Sequence, residues 1–184
     1  MIPVGSGRYP YTTFVSYLWR LVRAELERGP VLLVAYSFSC RAVSLMLSAC
    51  NQNPGEHQFS LDHNELALVR RNLRGVVFVA PPNTHSFSEG DRVTIKADRN
   101  LLGTDWAQGY GAIPRIFPDL PVHFVVGAKC RAKLRYWTSS LRDALKDSGC
   151  TATQYHEIPE ANGVLVHAKR QLADYIQMVL GSLS

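Results

Sequence analysis

The residue best placed to do chemistry in this sequence is Ser37, which stands between a short apolar run and a helix-forming segment. Residues 31–36 read VLLVAY, and the small residues Ala35 and Ser39 lie two positions to either side of the serine. A serine at such a turn is the setting of the G-x-S-x-G nucleophile elbow, where small flanking residues relieve crowding of the backbone. The serine would lie at a helix N-terminus, where the Phe38 N–H can stabilise an oxyanion. Serine is also a common helix N-cap, so the local pattern leaves both interpretations open.

The elements that must position this serine alternate between apolar strands and amphipathic helices. The first helix carries an apolar stripe at helical spacing, made of Phe14, Leu18, Leu21, Val22 and Leu26. The patterns predict helices over residues 12–28, 40–50, 64–74, 132–147 and 166–180, strands over 31–36, 76–80, 122–127 and 153–158, and a less regular connection over 84–120 with a helix near 101–116. Strand–helix alternation predicts one α/β domain over residues 1–184, with a mainly parallel sheet and helices on both faces.

Composition narrows the classes of function. The chain has 184 residues and a net charge of +5, and its basic residues are scattered without the aromatic–basic pattern of an RNA-binding surface. We therefore expect no nucleic-acid partner. No apolar run approaches the ~20 residues of a membrane span, and no secretory signal is recognisable. No phosphate-binding glycine loop is present, so we expect no cofactor. The four cysteines form no CxxC pair or zinc spacing, which favours a reduced, intracellular protein without a metal.

Five segments, in order, resemble the α/β-hydrolase family. They are GPVLLVAYSFSCRAV (29–43) for the nucleophile strand, elbow and helix, RGVVFVAPP (74–82) for the next strand, LPVHFVVGAKC (120–130) for the strand before the acid, YHEIPEANGVLVH (155–167) for the last strand and histidine loop, and IPVGSGRYP (2–10) for a loop after an earlier strand. The resemblance covers nearly the whole chain. It implies an α/β-hydrolase-like fold that lacks the N-terminal strands.

The resemblance also implies a serine nucleophile, but other residues occupy the positions of the family's acid and histidine. Ser37 takes the place of the nucleophile, but Cys130 stands where the family has its acid. Asn162-Gly163-Val164 occupy the place of the family's histidine, and His167 comes three or four residues later. A neutral thiol orients a histidine ring poorly compared with a carboxylate. Asp91 and Asp98 are alternative acids.

Two functions follow as expectations. The first is a weak or inactive hydrolase that serves as a binding or interaction module for a small acyl or ester ligand, with Tyr36, Phe38 and Cys130 lining the site. The second is an active serine esterase or thioesterase that uses Ser37 and His167.

The apolar strand at residues 31–35 predicts a partner. If the strands that precede it in the family are absent, one of its edges lacks a neighbour, and an exposed apolar edge invites pairing. We therefore expect a second copy, or another partner chain, to cover this strand.

Overall fold

The computed structural model describes residues 11–48, 61–81, 110, 113–162, 165 and 168–183. These ranges contain α1 (Tyr11–Arg28), β1 (Val31–Tyr36), α2 (Phe38–Ser48), α3 (His63–Asn72), β2 (Leu73–Val79), β3 (Val122–Gly127), α4 (Ala132–Asp147), β4 (Thr153–Ile158) and α5 (Lys169–Ser182). A helical turn at 113–116 falls within the helix that the sequence predicts near 101–116, most of which lies outside the described residues.

The four strands form one parallel sheet in the order β1-β2-β3-β4. Every residue of β3 is buried, and so is every residue of β2 except Arg74. Their Val-rich composition is typical of strands covered on both faces. The predicted α/β class with a parallel sheet is confirmed.

Helices cover both faces of this sheet, as predicted, but unequally. On one face a large core unites α1, α2, α3 and α4 with Phe78 and Phe124 of the two central strands. On the other face a smaller core joins α5 to Val77, Val79 and Val125. Alternate side chains of each strand therefore enter different cores.

Tertiary packing moved the boundary between the predicted helix over 64–74 and the strand that follows it. The helix expected over 64–74 ends at Asn72, and Leu73 and Arg74 already belong to β2. Leu73 is 6% exposed within the large core and pairs with Val31 across the sheet. Burial of this side chain in the sheet outweighs the weak helical preference of the segment.

The predicted stripe of α1 was also partly wrong. The helix buries Val15, Trp19, Val22 and Leu26, whereas Leu21 is 52% exposed. Glu65 of α3 fixes this rotation, because it accepts a hydrogen bond from Trp19 Nε1 at 3.0 Å. The same carboxylate completes a capping box at the start of α3, so it is itself held in place.

β1 differs from the two central strands in its exposure. Val34 is 46% exposed and Tyr36 is 42% exposed, although the strand VLLVAY carries no charge. Within the described ranges β1 pairs with β2 and with no other strand. None of the described helices is long and apolar enough to cross a membrane.

Candidate functional site

The turn between β1 and α2 holds Ser37 in an uncommon backbone conformation. Its φ is 50°, in the left-handed region that side chains other than glycine seldom adopt. The Ser37 N–H donates to Val79 O at 2.9 Å, and its carbonyl accepts from Cys40 N–H at 3.0 Å. The neighbouring strand and the first turn of α2 together hold this strained residue.

The conformation of Ser37 can be compared with that of a helix N-cap. An N-cap serine usually has an extended backbone, and its hydroxyl accepts a hydrogen bond from the second or third N–H of the helix. With its φ of 50°, Ser37 departs from that geometry. The geometry of Ser37 is therefore not that of an ordinary helix cap.

The backbone N–H of Phe38 lies immediately beside Ser37. Phe38 is the first residue of α2. The first N–H groups of a helix have no partner within the helix and carry partial positive charge. Ser37 and this N–H thus form a small group that can receive a carbonyl oxygen. Tyr36 precedes them at the end of β1, with burial raising the pKa of its phenol.

Cys130 follows β3 at the same edge of the sheet, because the carboxyl ends of parallel strands meet there. The residue is 8% exposed, and its Sγ contacts Arg131 O at 3.6 Å. Burial raises the pKa of the Cys130 thiol, and the charge of Glu157 adds to this effect while Arg135 opposes it. The thiol is therefore protonated at neutral pH and cannot act as a carboxylate does.

The loop after β4 crosses closely over the end of β3. Ala128 N–H donates to Ile158 O at 3.0 Å, and Lys129 N–H donates to Ala161 O at 2.8 Å. Gly127 lies beneath this crossing, where a Cβ atom would collide with the backbone oxygens of Ala161 and Asn162. The turns after β3 and β4 are thus fixed against each other.

One acidic residue near this edge was missed by sequence reasoning. Glu157, the penultimate residue of β4, accepts a hydrogen bond from Tyr155 Oη at 2.6 Å and lies 3.8 Å from Arg135 Nη1. It was overlooked because it lies within a strand rather than in the loop that follows one. Alternation along β4 is the signal that could have placed Glu157 beside Tyr155, on the face that α4 covers.

Comparison with solved structures extends the description of the fold. The structure of a bromoperoxidase from Bacillus anthracis aligns with this chain at a TM-score of 0.59 and 12% identity. The alignment covers 96% of this chain and 77% of the bromoperoxidase. Carboxylesterase structures from the thaumarchaeon Nitrososphaera gargenis give a TM-score of 0.59 at 10% identity, over 98% of this chain and 75% of theirs. An alpha/beta hydrolase from a lagoon-sediment metagenome aligns at a TM-score of 0.52 and 13% identity. This alignment covers 91% of this chain and 70% of the hydrolase.

This chain has the α/β-hydrolase fold. The fold recognition made from the sequence is confirmed, and the chain spans about three quarters of the length of the first two of these structures. No protein-family profile and no curated sequence matches the chain.

The α/β-hydrolase fold places His123 and His156 against α5. His123 lies near the start of β3, and its Nδ1 is 2.9 Å from Tyr175 Oη. His156 stacks on the same tyrosine, with ring centroids 4.3 Å apart. Both rings pack on α5 and serve the smaller core. His167 and the alternative acids Asp91 and Asp98 lie outside the described residues, so their roles stay predictions.

A cleft of about 740 Å³ opens at the opposite, amino end of the sheet. Its walls include Leu73, Phe117 and Leu183. The chemistry predicted at Ser37 belongs to the carboxyl edge, so we assign the site there and not to this cleft. Within the described ranges no group of three His, Cys, Asp or Glu side chains could hold a metal ion.

Proposed function

We propose that this chain binds ester or thioester carbonyl groups at Ser37 and hydrolyses them weakly or not at all. The observation that carries the proposal is the left-handed φ of 50° at Ser37, directly before the first N–H of α2. Residues held in sparsely populated backbone regions cluster at functional sites, where the surrounding structure maintains the strain.

Binding follows from the groups that the turn presents. The Phe38 N–H, at the positive end of α2, would donate to the carbonyl oxygen of the ligand. The Ser37 hydroxyl would then lie against the carbonyl carbon. Such an arrangement favours a small acyl or ester ligand, and it needs no metal or cofactor.

Weak turnover follows from the chemistry at Cys130. A serine hydroxyl becomes a good nucleophile only when a base removes its proton, and the base works best when an acid orients it. The position that the resemblance assigns to the acid holds a thiol whose pKa is raised by burial. A neutral thiol gives an imidazolium little stabilisation, so the site would bind better than it reacts.

The alternative is an active serine esterase or thioesterase. Ser37 would be the nucleophile, His167 the base, and Asp91, Asp98 or Glu157 the acid. The strained serine favours this alternative, because backbone strain at a residue without a chemical role would lower the stability of the fold with nothing gained. Several chains of similar fold are described as carboxylesterases, a lipase and an acyl-protein thioesterase.

A fluorophosphonate probe separates the two functions, because it labels an activated serine whatever the natural substrate. We expect wild-type protein to be labelled at a rate close to that of Ser37→Ala, and His167→Ala to match wild type. Rapid labelling that is lost in both variants would establish the active hydrolase instead.

Binding itself is tested with a ketone analogue of an acyl ester, followed through the amide NMR signal of Phe38. A saturable shift of this signal supports the proposal. If well-folded wild-type protein shows neither a shift nor labelling, the proposal is wrong.

A replacement at Cys130 tests why turnover is weak. We expect Cys130→Asp to raise the labelling rate by about ten-fold or more, since a carboxylate contributes up to about 10⁴-fold in a serine triad. Cys130→Ser is the matched control and should leave the rate unchanged. Equal rates in the two variants would show that the missing acid does not limit the reaction.

A further inference from the structure

The cleft at the amino end of the sheet is a second concave feature with the size of a ligand pocket. Its volume of about 740 Å³ lies within the roughly 300–1,000 Å³ of pockets that hold small molecules. Ser37 follows the carboxyl end of β1, so the proposed carbonyl site and this cleft lie at opposite edges of the sheet. The chemistry proposed at Ser37 therefore leaves the cleft without a role.

The floor of the cleft consists of large core side chains. Val69 and Leu73 come from the junction of α3 with β2, and Phe117 and Leu120 come from the segment before β3. All four belong to the large core and are buried. Because packed core side chains move little, this apolar floor is formed before any ligand arrives.

The end of α5 forms the opposite wall of the cleft, through Ser182 and Leu183. Gly75 of β2 permits this close approach, because a Cβ atom there would lie 3.2 Å from Pro121 O and 3.4 Å from Leu183 Cδ1. The same Pro121 carbonyl accepts a hydrogen bond from Val76 N–H at 2.9 Å. The sheet thus fixes the two walls relative to each other.

Two guanidinium groups stand at the mouth of the cleft. Arg70 in the last turn of α3 and Arg74 on β2 both line the cleft, and both are exposed. Arg74 is the one exposed residue of a strand that is otherwise buried. Asp119 adds one carboxylate to the lining, so two positive charges and one negative charge leave a formal charge of +1.

We propose that this cleft binds a carboxylate that carries an unbranched apolar chain, as a fatty acid does. Arg70 and Arg74 bind the carboxylate at the mouth, because a guanidinium group matches a carboxylate through paired hydrogen bonds. The apolar floor takes the chain, whose burial stabilises the complex.

Charge and apolar surface together select this class of ligand. A carboxylate neutralises the single net positive charge of the lining, whereas a phosphate dianion would leave an excess of negative charge. A small inorganic anion would leave the floor of Val69, Leu73 and Phe117 without an apolar partner. The inference stands independently of any function at Ser37.

Calorimetric titration with decanoate, below its micelle concentration, tests the inference. We expect saturable binding to the wild type, with decanol bound at least about ten-fold more weakly because it lacks the charge that the arginines recognise. From octanoate to dodecanoate the affinity should rise by about four-fold for each added CH₂ group. Equal affinity for decanol and decanoate, or no saturable binding of decanoate, overturns the inference.

Substitution of the two arginines tests where decanoate binds. We expect the double variant Arg70→Gln, Arg74→Gln to keep its fold, since both side chains are exposed, and to bind decanoate about ten-fold more weakly. Arg170→Gln is the matched control, because this exposed arginine at the start of α5 lies about 18 Å along the helix from Ser182. This control should bind decanoate as the wild type does.

Two further measurements separate the cleft from the Ser37 site. Ser37→Ala should bind decanoate with unchanged affinity, and the methyl NMR signals of Leu183 in the wild type should shift as decanoate saturates the protein. The NMR measurement also decides the matter if the double arginine variant does not fold. Loss of binding in Ser37→Ala, unchanged binding in a folded double variant, or unshifted Leu183 signals would show that decanoate binds elsewhere and would overturn the inference.

Discussion

At the scale of single residues, Ser37 connects strain with function. Its φ of 50° costs an ordinary side chain about 1–2 kcal/mol, whereas glycine adopts this region freely. Ser37→Gly and Ser37→Ala both remove the hydroxyl, and only the glycine variant relieves the strain. We expect the free energy of unfolding of Ser37→Gly to exceed that of Ser37→Ala by about 1 kcal/mol in urea denaturation.

Comparing these two variants separates the effect of the strained backbone from the effect of losing the hydroxyl. Neither should be labelled by the fluorophosphonate probe. Equal stabilities, or a more stable alanine variant, would mean that Ser37 relaxes out of the left-handed region in solution. The structural basis of the proposed site would then be lost, whatever the labelling result.

At the scale of elements, the contact between the turns after β3 and β4 positions the carboxyl edge. Gly127 leaves no room for a Cβ atom beneath the backbone of Ala161 and Asn162. We expect Gly127→Ala to lower the free energy of unfolding by about 1–3 kcal/mol, as overpacking does elsewhere, because the obstructing atoms are backbone.

Gly181 is the matched control for this substitution. It lies in α5, and a Cβ atom there would meet nothing within 4 Å. Alanine is favoured over glycine in helices, so Gly181→Ala should raise stability by about 0.5–1 kcal/mol. Urea denaturation of both variants gives the comparison. A neutral effect of Gly127→Ala would show that the two turns are not fixed against each other.

At the scale of the whole molecule, stability should depend on pH through the smaller core. Burial lowers the pKa of His123 and of His156, so both are held neutral in the folded protein. The unfolded chain binds their protons more readily. The contribution of the two neutral histidines to the free energy of unfolding is fully present above the pKa of an unfolded histidine, about 6.5. As the pH falls below that value and through the lowered pKa values of the folded protein, this contribution is lost, at up to about 1.4 kcal/mol per pH unit for each group.

A variant of His156 measures this dependence. His156→Phe preserves a ring to stack on Tyr175 and removes one titrating group. We expect urea denaturation between about pH 8 and about pH 5.5 to show a smaller loss of stability in this variant than in wild type. Identical pH dependence in His156→Phe and wild type would contradict the assignment.

Much of the architecture could be predicted because its signals are local. The apolar runs at 31–36 and 122–127 became β1 and β3 with the predicted ends. The helix at 132–147 also has its predicted bounds, and Gly149, with a φ of 100°, follows its end. The spacing of apolar residues and the residues that end a helix or strand are features of short stretches of sequence. These elements could therefore be predicted without knowledge of distant contacts.

Sequence by itself thus determined the fold class, the parallel sheet and the place of Ser37 between a strand and a helix. Tertiary structure alone decided that α1 turns Leu21 outward, that Leu73 leaves the helix for β2, and that His123 pairs with Tyr175. Each of these outcomes depends on which of several distant surfaces competes best for contact with a side chain. Such competition is settled by packing between segments far apart in the chain, which no local pattern records.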